Sequence, residues 1–482
     1  MTDILPAVVT CLYPILTFFI NMTVTNPITT SVFDLFKVGP GPSSSHTIGP
    51  MKAAFDFRQR LATLPAELLR QADAIHIHLY GSLSATGKGH GTDRAVVAGL
   101  LGWQPETTDP DELLSLLKDQ AVVYAVPVGE RTLSVGPQHI HFQRKRYDSP
   151  YANTMVLHLL AGETVLFSEE YYSIGGGFII RKGEPETAPM TLQIPFPYSS
   201  MAELKTQLSA NSLSLDELML ANETAITGKS RSEVNQRIDQ ILDFMHKAVR
   251  RGLRHKGTLP GSIKLSRKAP VLFKQAKGMS HSSDSFLIFL NAYCLAASEE
   301  NAAGGIVVTA PTSGASGVIP GLTYLAKHHF HYDRTTLRSG MLAAAAVGFL
   351  VKHNASISGA EMGCMGEIGT ASAMGAAFLT RCSQPNGLIG AIEAAAEIAI
   401  EHHLGMTCDP IGGYVQIPCI ERNAMGAVKA YNAFLLATSG AASFQKISLD
   451  AVIKVMKATG RDMSTKYKET SEAGLALSAT EC

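Results

Sequence analysis

The chain has 482 residues, 46% of them hydrophobic, enough for two or three packed domains. Forty-one basic residues balance 41 acidic ones, so the formal net charge is zero. That leaves no electrostatic footprint for nucleic acid and no basic block for an anionic membrane; small uncharged or zwitterionic ligands stay open. The cysteine count is 7, an odd number at low density. This is not the framework of a secreted disulfide protein, and it favours a cytoplasmic chain whose paired cysteines bind metal or do chemistry.

Residues 4–22 read ILPAVVTCLYPILTFFINM, nearly all apolar. A membrane span needs about 20 such residues, so the length is marginal. No Lys or Arg precedes Lys37, which removes the positive start of a signal peptide, and Pro6 and Pro14 interrupt the run. Residues 1–30 are therefore read as an extension, disordered or packed on the surface, or as an over-called start with Met22 nearer the beginning. No membrane partner is expected.

Residues 31–185 read as an α+β domain. Residues 74–80 (AIHIHLY) alternate like a half-buried strand, and 92–101 read as a helix. Residues 139–142 and 154–160 are further strands. Residues 170–174, the glycines 175–177 and residues 178–180 give a strand, a break and a strand. Residues 186–200 form a proline-rich linker. Residues 201–482 are expected to be mainly helical, with helices at 202–207, 214–223, 232–250, 284–300, 337–352 and 388–404. The expected fold class is thus α+β, a small mixed domain followed by a helical one.

The run 81–89, GSLSATGKG, imitates a phosphate-binding loop. It has five residues where that motif has four, and Gly89 replaces the Mg²⁺-binding hydroxyl, so the reading is rejected.

Residues 39–50, GPGPSSSHTIGP, open into a helix from about Met51. Hydroxyls such as Ser44, Ser45 and Thr47 beside His46 at a helix start make an anion-binding site with a titratable group. The simpler reading is a helix cap with spare serines. His90 lies between glycines in TGKGHGTDR, 86–94, ahead of a helix capped by Thr92 or Asp93. It is either close to a ligand or a surface histidine. EENAAGG at 299–305 and APTSGASG at 310–317, with Thr312 and Gly314, offer amides and hydroxyls able to seat a carboxylate.

Cys364 stands in the small-residue run NASISGAEMGCMGE, 354–367, while Cys408 and Cys419 bracket CDPIGGYVQIPC. Pro410, Pro418, Gly412 and Gly413 keep that stretch from being one helix, and a loop that turns back would bring its sulfurs together. No tight pair of the structural-zinc kind occurs. Three thiolates from separated loops suit a [4Fe–4S] cluster with one iron lacking a protein thiolate. A disulfide, or thiols that are merely buried, remain alternatives. Cys294 and Cys382 read as small buried hydrophobes. Cys482 combines a thiol with a carboxylate, as a chelating pair or a disordered tail.

Together these stretches resemble the bacterial iron–sulfur L-serine dehydratases (L-serine ammonia-lyases), in the form with both domains on one chain. The likeness runs from Ser31 to Cys482. It is carried by SVFDLFK at 31–37, GPSSSHT at 41–47, GKGHGTD at 87–93, EENAAGG at 299–305, NASISGAE at 354–361, CDPIGG at 408–413, QIPCIERNAMG at 416–426 and KYKETS at 466–471. The resemblance implies that Cys364, Cys408 and Cys419 ligate a [4Fe–4S] cluster, that its open iron receives L-serine, and that Cys482 can fold back onto that iron. The first domain would be similar to the small domain of some 3-phosphoglycerate dehydrogenases.

On this reading serine loses its Cα proton and β-hydroxyl, giving pyruvate and ammonia, and no pyridoxal phosphate is needed. His46 and His90 are the candidate bases. Ser44, Ser45, Thr47, Thr312 and Gly314 are the expected substrate contacts. The histidines lie in the first domain and the cysteines in the second, so the site is expected between them. Met365 stands where the family pattern has Gln, and Ser313 where it has Asn. A homodimer is expected on base rates. Rival readings are the same chemistry on L-threonine, or an amino-acid sensor whose cluster is structural.

Overall fold

The computed structural model describes residues 26–119, 121–145, 147–184, 193–280, 282–385, 387, 389–440 and 445–478. The apolar segment 4–22 and Cys482 lie outside them. No helix among the described residues is long and apolar enough to cross a membrane.

Among the described residues nine strands occur in chain order: β1 (Val38–Pro40), β2 (Ala74–Gly81), β3 (Tyr124–Val128), β4 (Arg131–Val135), β5 (Ile140–Phe142), β6 (Asn153–Ala161), β7 (Thr164–Ile174), β8 (Phe178–Arg181) and β9 (Ile306–Val308). Seven form one sheet in the order β3-β4-β2-β6-β7-β8, with β5 also alongside β2. Side chains alternate across a strand, so Ile75, Ile77 and Leu79 enter the core while His76 and His78 face the other way. The helices Gly49–Leu61 and Thr92–Leu100 cover the apolar face. Their Met51, Phe57 and Val96 share one core with Ile77, Leu157 and Tyr171.

From Met201 onward the chain is helical apart from β9. The helix Thr370–Ser383 is buried almost throughout and packs against Arg334–Asn354, Ile389–Glu401 and Cys419–Ser439. Its small residues allow that approach. A Cβ at Gly375 would lie 2.5 Å from Leu322, and one at Gly340 would lie 2.5 Å from the Cys382 sulfur.

Ile28, Val32, Leu35 and Phe36 belong to this helical core. Buried Glu223 fixes them there, accepting hydrogen bonds from Ser31 Oγ at 2.5 Å and the Val32 N–H at 2.9 Å. The chain then crosses to the sheet through β1. It pairs antiparallel with β9, Val38 opposite Val308 and Pro40 opposite Ile306. Two loops therefore leave this ribbon near one another, one carrying Ser43–Thr47 and the other Thr312–Gly314. At the crossing Gly41 is forced by contact: a Cβ there would lie 2.0 Å from the Asn301 carbonyl oxygen.

Candidate active site

The loop after β1 becomes a π-helical turn at Ser44–Ile48, and the Ser43 hydroxyl caps it by accepting from the His46 N–H at 3.2 Å. His46 and His90 are both buried, with ring centroids 4.4 Å apart. Thr47 Oγ1 donates to the His90 carbonyl at 2.8 Å, and Thr92 Oγ1 donates to the His46 carbonyl at 2.7 Å. These reciprocal bonds lock the two motifs together.

The hydrogen bonds also assign the tautomers. Ser82 Oγ spends its proton on the Glu469 carbonyl at 2.8 Å, so it accepts from His46 Nε2–H at 3.0 Å. His46 Nδ1 then accepts from Ser45 Oγ at 2.9 Å. His90 Nδ1 faces the Thr86 carbonyl at 2.9 Å and must carry the proton. Its Nε2 keeps a free lone pair, directed at Glu469 Oε1 at 3.9 Å. The same carboxylate oxygen lies 3.7 Å from His46 Nδ1. Burial holds both imidazoles below their ordinary value, His90 at about 4.

Glu469 is the residue that sequence reasoning left without a role, although it sits inside a motif already singled out. Its backbone takes a left-handed φ of 58°, which a non-glycine residue adopts only under constraint. The constraint is a parallel bridge to the cysteine loop: Cys408 N–H donates to the Tyr467 carbonyl at 2.8 Å, and Glu469 N–H to the Cys408 carbonyl at 2.7 Å. Burial first, and then the charges of Glu367 and Cys364, push its carboxyl well above the usual range.

All three predicted cysteines are buried. Cys364 precedes the turn Met365–Gly369, which leads into the central helix, and Cys419 is the first residue of Cys419–Ser439. Helix starts favour thiolate over thiol. The donor atoms of Cys364, Cys408 and Glu367 lie within 4.8 Å of one another. Cys408 donates to Cys364, which pulls the Cys364 thiol below its ordinary value and pushes Cys408 above it. Cys419 is close enough for the Cys364 charge to raise it further, after burial. Arg422 hydrogen-bonds Cys364 and is anchored by the Thr407 carbonyl at 2.6 Å.

The glycines of the CDPIGGYVQIPC loop have a steric role here. Gly412 and Gly413 take positive φ values of 59° and 69°, and a Cβ at Gly89 would lie 2.9 Å from the Gly413 oxygen. This loop and the His90 loop touch backbone to backbone.

The donor set fits an iron–sulfur cluster. Its sulfurs come from three separate segments and two of them already lie side by side. A Cβ at Gly359 would lie 3.4 Å from Cys408 Sγ and 2.9 Å from Glu367 Oε2, so glycine keeps the space beside the sulfur clear.

Ser44 Oγ accepts from the Ser313 N–H at 3.3 Å. Thr312 and Ser313 are buried, and the Ser313 hydroxyl has no hydrogen-bond partner among the described residues. Gly314 abuts Glu367; a Cβ there would lie 3.0 Å from Oε1. Residues 299–302 end a helix rather than form a loop. Glu300 binds Arg251 and Arg267, and Glu299 accepts from the Lys268 N–H at 2.6 Å. Of that motif only Asn301 reaches toward the site, donating to the Pro42 carbonyl at 2.7 Å. Cys294 and Cys382 are buried away from the sulfur group, Cys382 donating to the Thr336 carbonyl at 3.4 Å.

A seam with an imidazole lone pair on one side and grouped thiols on the other is the architecture of an enzyme that moves protons. The family models sharpen that class. The one described as Serine dehydratase beta chain matches residues 31–184, and the one described as Serine dehydratase alpha chain matches 210–476. The chain is similar to L-serine dehydratase 2 of Escherichia coli (strain K12), 42% identical over 470 residues, 94% of this chain and 99% of that one. It is 41% identical to the L-serine dehydratase of Haemophilus influenzae over 455 residues, covering 93% and 98% of the two chains. It is 42% identical to that of Streptomyces coelicolor over 461 residues, covering 94% and 99%. The chain belongs to the serine dehydratase family, with both parts on one polypeptide.

The buried imidazoles predict an acid limb in stability. His90 titrates at about 4 when folded and near 6.5 when unfolded. Its contribution is full above pH 6.5 and falls away as the pH drops toward 4. Between pH 7 and pH 5 the loss is about 2 kcal/mol for this one group. Urea unfolding at the two pH values is expected to show it, and His90→Gln is expected to flatten that part of the profile.

Proposed function

We propose that the chain is an L-serine ammonia-lyase that converts L-serine to pyruvate and ammonia. One observation carries this reading beyond family membership. The three buried cysteines and the His46–His90 pair, from opposite halves of the fold, meet around Glu469. Cys364, Cys408 and Cys419 would hold a [4Fe–4S] cluster, and the bound cluster would supply a Lewis-acidic iron that makes hydroxide a tolerable leaving group.

The chain's own residues do the rest. His90 Nε2 has the free lone pair and takes the Cα proton. His46, bonded at both nitrogens, positions Glu469 and the serine loop. The Ser313 hydroxyl and the amides of 312 and 314 seat the substrate carboxylate. The aminoacrylate product tautomerises to an imine, and water hydrolyses it to pyruvate and ammonia outside any covalent bond to protein. Cys482, carried over from the family likeness, would compete with L-serine for the bound cluster in the resting enzyme.

Protein purified without air is expected to contain about four iron atoms per chain and to form pyruvate from L-serine. Cys364→Ser, Cys408→Ser or Cys419→Ser should lose both properties; an iron-free preparation deaminating serine at full rate would overturn the assignment.

His90→Gln is expected to lower kcat by about 10²–10⁴ at unchanged iron content, and His46→Gln by less. The reverse order would make His46 the base.

Cys482→Ala is expected to lower the apparent KM for serine. An unchanged KM would remove the tail from the scheme.

A further inference from the structure

The sheet face turned away from its helices carries five imidazoles that the reaction does not use. The alternation of β2 places His76 and His78 there. His141 on β5 pairs with His78, and His158 on β6 pairs with His76. His139 ends the turn before β5. His76 Nδ1 lies 3.0 Å from His141 Nε2. The His78 and His141 rings stack at 4.7 Å, and His158 meets His78 edge-on at 5.2 Å. One donor nitrogen from each of His76, His78 and His141 falls within 4.8 Å of the others.

A polar outer face does not require this. No carboxylate forms an ion pair with any of these rings among the described residues. Burial, followed by mutual repulsion, keeps His76, His78, His141 and His158 below the ordinary imidazole value, His78 at about 4. Gln143 Nε2 donates to His78 Nδ1 at 2.9 Å and orients that ring. The buried His158 Nδ1 has no partner among the described residues.

We propose that His76, His78 and His141 form a site for a borderline divalent transition-metal ion, Zn²⁺ in the first instance, separate from the cysteine site. Neutral imidazoles suit Zn²⁺, Ni²⁺ or Cu²⁺, and do not suit Mg²⁺ or Ca²⁺, which take oxygen ligands. The ion staples β5 to β2, with which β5 pairs. β2 ends at Gly81, one residue before Ser82, which holds His46. The proposal does not depend on the serine reading.

The test is a Zn²⁺ titration of the full-length chain by calorimetry, wild type against His76→Gln and His141→Gln, with Mg²⁺ as the negative ion. The wild type is expected to bind one Zn²⁺ more than a His76→Gln/His141→Gln double variant, whatever the cysteines hold. Each single substitution should weaken that binding at least ~10-fold. Zn²⁺ should raise the Tm of the wild type by more than that of either variant. His139→Gln should keep the site, because its Nδ1 already accepts from the Gly136 N–H at 2.9 Å. Equal stoichiometry and affinity in wild type and variants would overturn the proposal, as would Mg²⁺ binding as tightly as Zn²⁺.

Discussion

Two backbone hydrogen bonds of 2.8 and 2.7 Å join Cys408 to Tyr467 and Glu469. Through them a segment near the far end of the chain is laid against the cysteine loop, and Glu469 is held in a left-handed conformation with its carboxylate between two imidazoles. Ser82 then closes the circuit, accepting from His46 and donating to the Glu469 carbonyl. Without that bridge, Glu469 would not be held between the histidines of the sheet half and the thiols of the helical half.

The electrostatic balance of the seam is lopsided. Glu469 and three cysteines are buried beside Glu367, and the Arg422 guanidinium reaches the cysteines. Burial pushes Glu367 up to about 6. Burying anions is costly, so Glu469 and the Cys408 and Cys419 thiols are held toward their protonated forms.

The long amphipathic helices were legible because they alternate polar and apolar faces. Arg231–Gly252 and Arg334–Asn354 are each capped by a side chain as well, Ser230 and Asp333. Thr370–Ser383 and Val318–His328 were not anticipated. Thr370–Ser383 is buried on nearly every side and shows little helical period, and Val318–His328 follows a glycine-rich run that reads as loop. The hairpin β3–β4 escaped notice because both strands are five residues long and half exposed. In the site, the histidine and cysteine motifs announced themselves by density. Glu469 did not, since a carboxylate among lysines and threonines looks like a solvated surface.

The sequence by itself determined which chemistry is present: thiols in small-residue loops, imidazoles ahead of helices, and two regions of different periodicity. These are local properties, set by residue type and spacing. Only the tertiary structure decided that residues 28–36 pack in the helical core, that β1 pairs with β9 more than 250 residues later in the chain, and that Glu469 lies between His46 and His90. Those are contacts between distant segments. They arise from burying apolar faces against one another and from satisfying the polar backbone groups trapped by that burial, and no local pattern records them.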